Sequence, residues 1–553
     1  MAGHEAKPTP NPRSIILTEV HGRKRVEVTT AALTTVGVIV AVFALLMIGL
    51  SNSARAGETL PGEAPTTPGA TDSPAPGPSV EPTTTGSTSQ IKNVVMLLAD
   101  DLDWTAFNQV PRLAALKNAG TTLTNFVVTD SLCCPSRTSF MRSQFVHNHR
   151  VISNVLQTGG GWPKFYARDL QNDCLPTWLQ KAGVNTSLIG KYLNGFPIGA
   201  PTENYIPPGW DYFETSVSKN QAYKAVNYTL NVNGTLQEYG SAPNEFLNDV
   251  LTLDAVQHLS TVQSPFFLEF ATYNPHTPFP VAPQNSQTHA TDVQPRVPSF
   301  NTAGSNEVSW LRSLPVLRAR QVENLDSLWR KRLRSAESVA DSYDALRAQL
   351  KSSGHLEDTL IIVTSDNGYH AGVHRLTTGK QTAFKEDSVV PAVLIGPGIA
   401  QGAVISKTTS MVDLGPTISE ILRASTPNYV DGRSLLPLLN GEPDVQWRTA
   451  TLTESLAHTR PGDADYEQVE APNFHALRSE QWLYVEYINR EVELYNLQTD
   501  PYEMNNVASS TNPAILAQLH AQLDAMKHCT GESCRIADSM PNGSISGAAL
   551  LVQ

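Results

Sequence analysis

Three short apolar runs, each followed by polar side chains, constrain the fold of this chain most strongly. Residues 93–101 (NVVMLLADD) end in two carboxylates, 359–368 (TLIIVTSDNG) end in Asp-Asn-Gly, and 265–279 (PFFLEFATYNPHTPF) end in Asn and His. Such runs predict buried parallel strands. The run 392–398 (AVLIGPG) predicts a fourth strand, and 327–354 has helical spacing and a closing glycine. Strands that alternate with helices predict an α/β fold with a large mixed, mostly parallel sheet flanked by helices.

The chain changes character after about residue 430. Residues 478–508 alternate as strands around a turn, and a helix follows from Pro513 to about Lys527. We therefore predict a catalytic domain at 91–429, a smaller antiparallel C-terminal subdomain at 430–528 and a C-terminal tail at 529–553.

The N-terminal region predicts export from the cytoplasm. Residues 31–50 carry no charge and are long enough for a transmembrane helix, and Arg23, Lys24 and Arg25 precede them. This pattern predicts a cytoplasmic tail at 1–30, a membrane anchor at 31–50 and a Pro/Thr/Ser-rich linker at 51–90. The catalytic domain would then be extracellular at the cell membrane, or secreted if a signal peptidase cleaves after Ala56. The net charge of −12 argues against nucleic acid as a partner.

The strand ends supply oxygen ligands for a metal. Asp-Asp after a strand is often a helix cap, and Asp-Asn-Gly is often a turn. At one sheet edge, however, these side chains would converge, because the site of an open α/β sheet lies at the carboxyl ends of its strands. A set of oxygen donors suits Ca²⁺ or Mg²⁺ better than zinc. The predicted metal ligands are Asp100, Asp101, Asp366 and Asn367.

The five cysteines leave one without a partner. Cys529 and Cys534 are close enough in sequence to pair, and Cys174 could pair with Cys134 or Cys133. Pro135 predicts a helix start, and a helix N-terminus beside an arginine binds anions. Cys133 would thus lie at the positive end of a helix and beside the charge of Arg137. Alternatively, Cys133 forms a disulfide or is only a small buried residue.

The segment CCPSR at 133–137 resembles the Cys-x-Pro-Ser-Arg signature of the type I sulfatases, within the alkaline-phosphatase-like superfamily. The resemblance spans roughly residues 93–507 and includes GKYLNGF, YIPPGWDYF, TSDNGYHAG, VDLGPTISEIL, DGRSLLPLL and ELYNLQTDPYEMNNVA. It is strongest to the glucosamine-6-sulfatase and extracellular endosulfatase branch. The resemblance implies the alkaline-phosphatase-like fold and hydrolysis of the sulfate ester of a sulfated carbohydrate or an aryl sulfate.

The same resemblance assigns roles to individual residues. Cys133 would be converted by a formylglycine-generating enzyme to Cα-formylglycine, whose hydrate has one hydroxyl to attack sulfur and a second to expel sulfate. Ca²⁺ would be bound by Asp100, Asp101, Asp366, Asn367 and the modified Cys133. Arg137 would support residue 133, Lys191 and Lys380 would hold sulfate oxygens, and His276 would protonate the leaving oxygen. Further candidates for substrate binding are His147, His149, His370 and His374. Cys134 fills the variable position of the motif, with Cys174 as its best partner.

The sequence departs from the family pattern at three places. Met141, Arg142 and Ser143 replace the usual Leu-Thr-Gly, and Leu193 stands where many sulfatases have histidine. Before VVPAVL, Phe384 and Lys385 stand where the family usually has Tyr-Glu. The nearest glutamate, Glu386, follows one residue later in the chain. Two alternatives also remain from the sequence: a phosphonate monoester or phosphodiester hydrolase of the same superfamily, and a catalytically inert binding protein in which Cys133 stays a thiol.

Overall fold

The apolar run that begins at Asn93 forms a central strand of a ten-stranded sheet in the computed structural model. The structure describes residues 88–443, 445–459, 465–466 and 471–543. The predicted cytoplasmic tail at 1–30, the anchor at 31–50 and nearly all of the linker lie outside these residues. Within the described ranges, no helix is both long and apolar enough to span a bilayer.

The strands alternate with helices along the catalytic part of the chain. In chain order the strands are β1 Asn93–Ala99, β2 Thr121–Leu123, β3 Phe126–Val127, β4 Asn185–Gly190, β5 Tyr212–Ser216, β6 Tyr228–Val232, β7 Thr235–Tyr239, β8 Phe266–Ala271, β9 Thr359–Ser365, β10 His370–Ala371, β11 Thr378–Gly379, β12 Ala392–Ile395, β13 Val404–Ile405, β14 Thr409–Ser410, β15 Ala450–Ser455, β16 Phe474–Ser479, β17 Trp482–Tyr487 and β18 Val492–Asn496. The α-helices are Trp104–Gln109, Pro111–Ala114, Leu116–Ala119, Cys133–Arg142, Val146–His149, Gly161–Ala167, Leu175–Lys181, Leu247–Leu259, Ser309–Arg312, Ala319–Ser352, Lys385–Ser388, Leu414–Ile421, Leu436–Leu439, Pro513–Met526 and Glu532–Ala537.

The large sheet has the strand order β13-β2-β12-β9-β1-β8-β4-β5-β6-β7. Its centre, β9-β1-β8-β4-β5, is entirely parallel, whereas β12, β6 and β7 pair antiparallel with their neighbours. In this register Val95 of β1 lies between Leu268 and Ile361. The prediction of a mixed, mostly parallel sheet flanked by helices is confirmed.

Both faces of the sheet are covered, which explains why its central strands are apolar throughout. Alternate residues of β1 enter two separate cores: Met96 and Leu98 pack with Trp162 on one face, and Val95 and Leu97 pack with Trp329 on the other. The second face is covered by the long helix Ala319–Ser352, which packs on the helix Leu247–Leu259. The sequence placed this long helix at 327–354, so its first two turns were missed.

A four-stranded antiparallel sheet, β15-β16-β17-β18, follows the catalytic region. The helix Pro513–Met526 packs on β16, and Phe145 and Val412 join the same core. The helix Glu532–Ala537 lies within the predicted tail. The Cys529–Cys534 disulfide joins this helix to the preceding segment, and both cysteines are part of the same core. The smaller sheet is therefore packed directly on the catalytic part.

Arg448 anchors this junction. Its guanidinium makes two hydrogen bonds of 2.7 and 2.6 Å to the carboxylate of Asp413, and its Nε lies 3.1 Å from Asp538. All three side chains are at most 3% exposed. The attraction between the two charges of such a buried pair offsets the cost of removing them from water. Loss of one partner leaves a buried charge without compensation and destabilises the fold.

Arg448→Met is expected to lower the free energy of unfolding by about 3–5 kcal/mol, because it leaves two carboxylates buried beside a single remaining arginine. The measurement is the guanidinium-induced unfolding midpoint. The matched control is Lys407→Met, whose ion pair with Glu480 is about half exposed on both sides and should contribute less than about 1 kcal/mol. Equal effects of the two substitutions would contradict the anchoring role.

Candidate functional site

The carboxyl ends of β1, β8 and β9 bring the predicted oxygen ligands together, because these strands are adjacent and parallel. Asp100, Asp101, Asp366 and Asn367 are all fully buried there. The backbone N–H of Asp101 donates to Asp366 Oδ1 over 3.3 Å, and Asn367 Nδ2 donates to Asp101 Oδ1 over 2.6 Å. His276, which follows β8, lies 3.7 Å from Asp101 Oδ2. The four predicted ligands thus form one cluster.

Cys133 is the first residue of the helix Cys133–Arg142, as its proline-containing start predicts. Its Sγ lies 3.5 Å from Asp100 Oδ1 and 3.1 Å from Lys380 Nζ. Sγ and a ligand atom from each of Asp100, Asp101 and His276 all lie within 4.8 Å of one another. The motif cysteine and the strand-end carboxylates therefore share one site.

Each carboxylate of the cluster is paired with its own cation. Arg137 Nε donates to Asp366 Oδ2 over 2.8 Å, Lys191 Nζ to Asp100 Oδ2 over 2.6 Å, and Lys380 Nζ to Asp101 Oδ1 over 2.7 Å. Burial favours a raised pKa for Asp366, but Arg137, Lys191 and Lys380 together lower it below its ordinary value. For Asp100, burial raises the pKa by more than the charge of Lys191 lowers it, so the pKa lies above its ordinary value.

The loop after β1 holds its carboxylates in an uncommon backbone conformation. Asp101 has a φ of +66°, a region that non-glycine residues rarely adopt. Arg332 of the long helix donates to the Asp101 carbonyl over 2.6 Å and forms an ion pair with Asp103. This arginine therefore fixes the turn that aims Asp101 into the cluster.

Two buried acceptor atoms of the cluster fit a metal ion. Among the described residues, Asp101 Oδ2 and Asn367 Oδ1 have no hydrogen-bond donor. A buried acceptor without a partner costs about 1–3 kcal/mol, and a hard cation bound to these oxygens would remove that cost. A donor set made of carboxylate and amide oxygens fits Ca²⁺.

Asp465 is a site residue that sequence reasoning missed. Its Oδ1 lies 2.9 Å from His276 Nε2 and 2.7 Å from Lys380 Nζ, and Asn154 donates to its other oxygen. Burial lowers the pKa of His276, but Asp101, Asp100 and Asp465 outweigh it and raise this pKa to about 9. Asp465 uses donors that the resemblance assigns to the substrate, so a bound sulfate would compete with it for them.

A cavity of about 320 Å³ adjoins the site. Lys191 and Asn154 line it together with the aromatic rings of Tyr223 and Tyr273. The ring of Tyr223 lies 4.3 Å from that of His276, and Lys191 Nζ lies 5.3 Å from the Tyr223 centroid. Leu193, which replaces the family histidine, is 4% exposed and also lines the cavity. The site therefore opens onto a partly apolar pocket.

The other predicted histidines have partners of their own. His147 bonds to Glu454 and to the carbonyl of Cys529, both over 2.9 Å, and His149 Nε2 lies 2.9 Å from Ser139 Oγ. Among the described residues, neither His147 nor His149 joins the hydrogen bonds around Cys133.

His370 and His374 contact different residues in or beside the helix Lys385–Ser388. His370 Nδ1 lies 2.9 Å from Asp387 Oδ2, whereas His374 stacks on Phe384 with ring centroids 3.9 Å apart. Burial lowers the pKa of His374 to about 3, so its imidazole is neutral. His374 belongs to a separate cluster with Glu386 and Glu503.

The cysteine pairing differs from the prediction at one point. Cys529 and Cys534 form a disulfide, but Cys134 and Cys174 are free buried thiols in place of the predicted bond. Each thiol has its own contacts: Cys134 Sγ accepts from the backbone N–H of Asn194 over 3.0 Å, and Cys174 Sγ lies 3.3 Å from the Gln171 carbonyl. Burial raises the pKa of Cys174 to about 12, so it remains protonated and unreactive.

Comparisons with known proteins agree with this geometry. A family model described as "Sulfatase" matches residues 92–424, and one described as "N-sulphoglucosamine sulphohydrolase, C-terminal" matches residues 373–529. N-acetylglucosamine-6-sulfatase of Capra hircus is 33% identical over 484 residues, which cover 81% of this chain and 85% of that protein.

Two solved structures share the fold. One is a protein in complex with its substrate D-glucosamine-2-N,6-O-disulfate, with a TM-score of 0.67 and 18% identity over 81% of this chain and 99% of that one. The other is a phosphonate monoester hydrolase of Agrobacterium radiobacter, with a TM-score of 0.60 and 20% identity over 79% of this chain and 96% of that one.

Asp366→Asn is expected to abolish stabilisation by calcium, because it removes a charged ligand from the cluster. At a calcium concentration 100-fold above Kd, the wild-type protein should gain about 2.7 kcal/mol. The measurement is Tm with and without CaCl₂ after chelation. Asp344→Asn is the control, because Asp344 is an exposed partner of Arg112 and should leave the calcium response unchanged. An undiminished calcium response in Asp366→Asn would reject the metal assignment.

Proposed function

The chain belongs to the sulfatase family, and from this premise we propose that it hydrolyses the sulfate ester of a sulfated sugar through a formylglycine formed at Cys133 and a bound calcium ion. The observation that carries this proposal is the convergence of Cys133, three carboxylates and two lysines at one sheet edge. A glucosamine 6-sulfate is the first substrate to test, because the N-acetylglucosamine-6-sulfatase relative covers most of both chains.

Unmodified Cys133 is poorly suited to act as the nucleophile. Burial raises the pKa of its thiol well above the ordinary value, although Lys191 and Lys380 oppose the effect. The side chain would therefore stay a thiol at neutral pH rather than a thiolate. A formylglycine hydrate at position 133 would supply what the thiol lacks, namely one hydroxyl for attack on sulfur and a second for the release of sulfate.

The surrounding residues have the geometry to bind and neutralise a sulfo group. Lys380 Nζ lies 3.1 Å from the Cys133 side chain, so its ammonium can hold a sulfate oxygen beside the reacting atom. Lys191, which follows β4, donates to Asp100, the carboxylate that Cys133 also contacts. Arg137 donates to Asp366 and keeps that carboxylate ionised. Calcium, when bound to the strand-end oxygens, would polarise a sulfate oxygen and the hydrated side chain.

His276 is placed to protonate the leaving oxygen. Its Nδ1 donates to the Thr277 carbonyl over 2.6 Å, which directs the other ring nitrogen, Nε2, toward Asp465 and the carboxylate cluster. Asp465, whose Oδ1 lies 2.9 Å from Nε2, favours the protonated form of this imidazole. This nitrogen can therefore supply the proton that the departing alcohol needs.

The adjoining cavity is suited to the alcohol part of the substrate. Its volume of about 320 Å³ falls at the low end of ligand pockets, which fits one or two sugar rings. Tyr223 and Tyr273 offer flat apolar surfaces, and Asn154, Asn194 and Ser216 offer polar atoms for hydroxyl groups.

We also propose that the catalytic part lies outside the cytoplasm, either anchored through residues 31–50 or released. The Cys529–Cys534 disulfide supports this location, because structural disulfides persist in oxidising compartments.

Cys133→Ala is expected to abolish sulfatase activity with the fold intact, since in the proposed mechanism the nucleophile is formed from residue 133. Cys134→Ala is the matched control and should keep activity within about threefold, because the Cys134 thiol packs in the apolar core and bonds to the backbone of Asn194. Activity is measured with an aryl sulfate and with glucosamine 6-sulfate, and folding by circular dichroism. Full turnover by Cys133→Ala would remove this residue from the mechanism.

Two further measurements separate the alternatives. Mass analysis of the tryptic peptide 118–137 should find formylglycine at 133, whereas an unmodified thiol would indicate an inert binding protein. Turnover of an aryl sulfate should exceed that of an aryl phosphonate, and the reverse order would favour a phosphonate monoester hydrolase.

Tyr223→Ala is expected to lower kcat/KM for the sulfated sugar about 10- to 100-fold, because it removes the ring that packs on His276 and faces the cavity. Tyr223→Phe keeps the ring and should lose less than about fivefold, which corresponds to one hydrogen bond with Asn194. Steady-state kinetics on the same substrate provide the test. Equal kcat/KM values for the two variants would show that the ring does not contribute.

A further inference from the structure

His374, Glu386 and Glu503 form a second cluster of metal-ligating side chains. His374 follows β10, Glu386 belongs to the helix Lys385–Ser388, and Glu503 lies in the turn after β18. One ligand atom from each lies within 4.8 Å of the other two. None of the three belongs to the carboxylate cluster around Cys133, so this cluster is a separate feature of the chain.

Two atoms of the cluster lack partners despite their burial. His374 is 1% exposed, and its Nε2 has no hydrogen-bond partner among the described residues; the same is true of Glu386 Oε2. The ring of Phe384 stacks on the imidazole at 3.9 Å with an interplanar angle of 11°, which fixes the plane of the imidazole. A buried nitrogen and a buried carboxylate oxygen are thus held close together with their lone pairs unused.

Glu503 completes the set without losing its own contacts. Its Oε1 accepts from Arg478 over 2.5 Å, and its Oε2 accepts from the backbone N–H of Lys385 over 3.0 Å. A carboxylate has about four lone-pair sites, so each oxygen keeps one for a further ligand bond. The ammonium of Lys385 is directed away, to the Pro501 carbonyl and the Tyr502 ring.

One ligand of the cluster borders two cavities. Glu386, Lys385 and Arg478 line a cavity of about 210 Å³, and Glu386 also lines a neighbouring cavity of about 360 Å³. Glu386 is thus the side of the cluster that lies nearest to solvent.

We propose that His374, Glu386 and Glu503 bind a second divalent cation, of the zinc or manganese type, that fastens the C-terminal sheet to the catalytic part. One imidazole nitrogen with two carboxylate oxygens is a donor set for Zn²⁺ or Mn²⁺, whereas Ca²⁺ prefers oxygen alone. Glu386 is the glutamate that lies one residue after the position at which the family usually has glutamate. Because Glu503 follows β18, His374 follows β10 and Glu386 lies in the helix Lys385–Ser388, the ion would link the C-terminal sheet to two segments of the catalytic part.

The test is a zinc titration of the full-length protein in saturating CaCl₂, so that calcium fills the carboxylate cluster around Cys133. The wild-type chain is expected to bind one Zn²⁺ per chain by calorimetry, to retain it through gel filtration by elemental analysis, and to rise in Tm by at least about 3 °C. His374→Gln and Glu386→Gln preserve side-chain size and should lose both the bound zinc and the Tm rise.

His520→Gln is the matched control, because His520 is an exposed histidine that also pairs with a glutamate. It should bind zinc like the wild-type protein. The proposal is overturned if the wild-type chain binds neither zinc nor, in a parallel titration, manganese. It is also overturned if His374→Gln and Glu386→Gln bind the ion as the wild type does. Should one of these variants fail to fold, the other and the wild-type titration decide the matter.

Discussion

The pairing of each buried carboxylate with its own cation is the interaction on which the rest of this structure depends. Asp100, Asp101 and Asp366 are brought close together by three parallel strands, and without compensation their mutual repulsion and desolvation would destabilise the sheet edge. Lys191, Lys380 and Arg137 supply that compensation from β4, the β11 segment and the helix Cys133–Arg142. These three elements converge on the strand ends, and Cys133 and the three cations are thereby fixed together.

Much of this arrangement could be predicted because it depends on local sequence. Apolar runs that end in carboxylates predicted β1 and β9 and the edge at which their ligands meet, and Pro135 predicted a helix start at Cys133. Parallel strands bring such ends together regardless of the loops between them. The resemblance to sulfatases added Lys191 and Lys380, whose surroundings in the sequence contain no independent signal. It also gave a role to His276, which the apolar run 265–279 had already placed at a strand end.

Other features depend on tertiary contacts that sequence does not reveal. Asp465 comes from a segment without a motif and reaches His276 only because the C-terminal sheet packs on the catalytic part. The pairing of Cys134 with Cys174 was inferred from the number of cysteines and from the motif, which assigns Cys133 another role. Each thiol instead lies in its own hydrogen-bonded surroundings in one apolar core. Glu386 and His374 are twelve residues apart, and their approach to Glu503 follows from the position of β18.

The complete burial of Cys133 has a consequence for the timing of maturation. This residue is 0% exposed, and every side chain of its helix is buried as well. In the proposed mechanism, an enzyme that oxidises Cys133 would reach its side chain only before the sheet has closed. Formylglycine formation would then compete kinetically with folding. Conditions that slow folding would increase the fraction of chains in which residue 133 is modified.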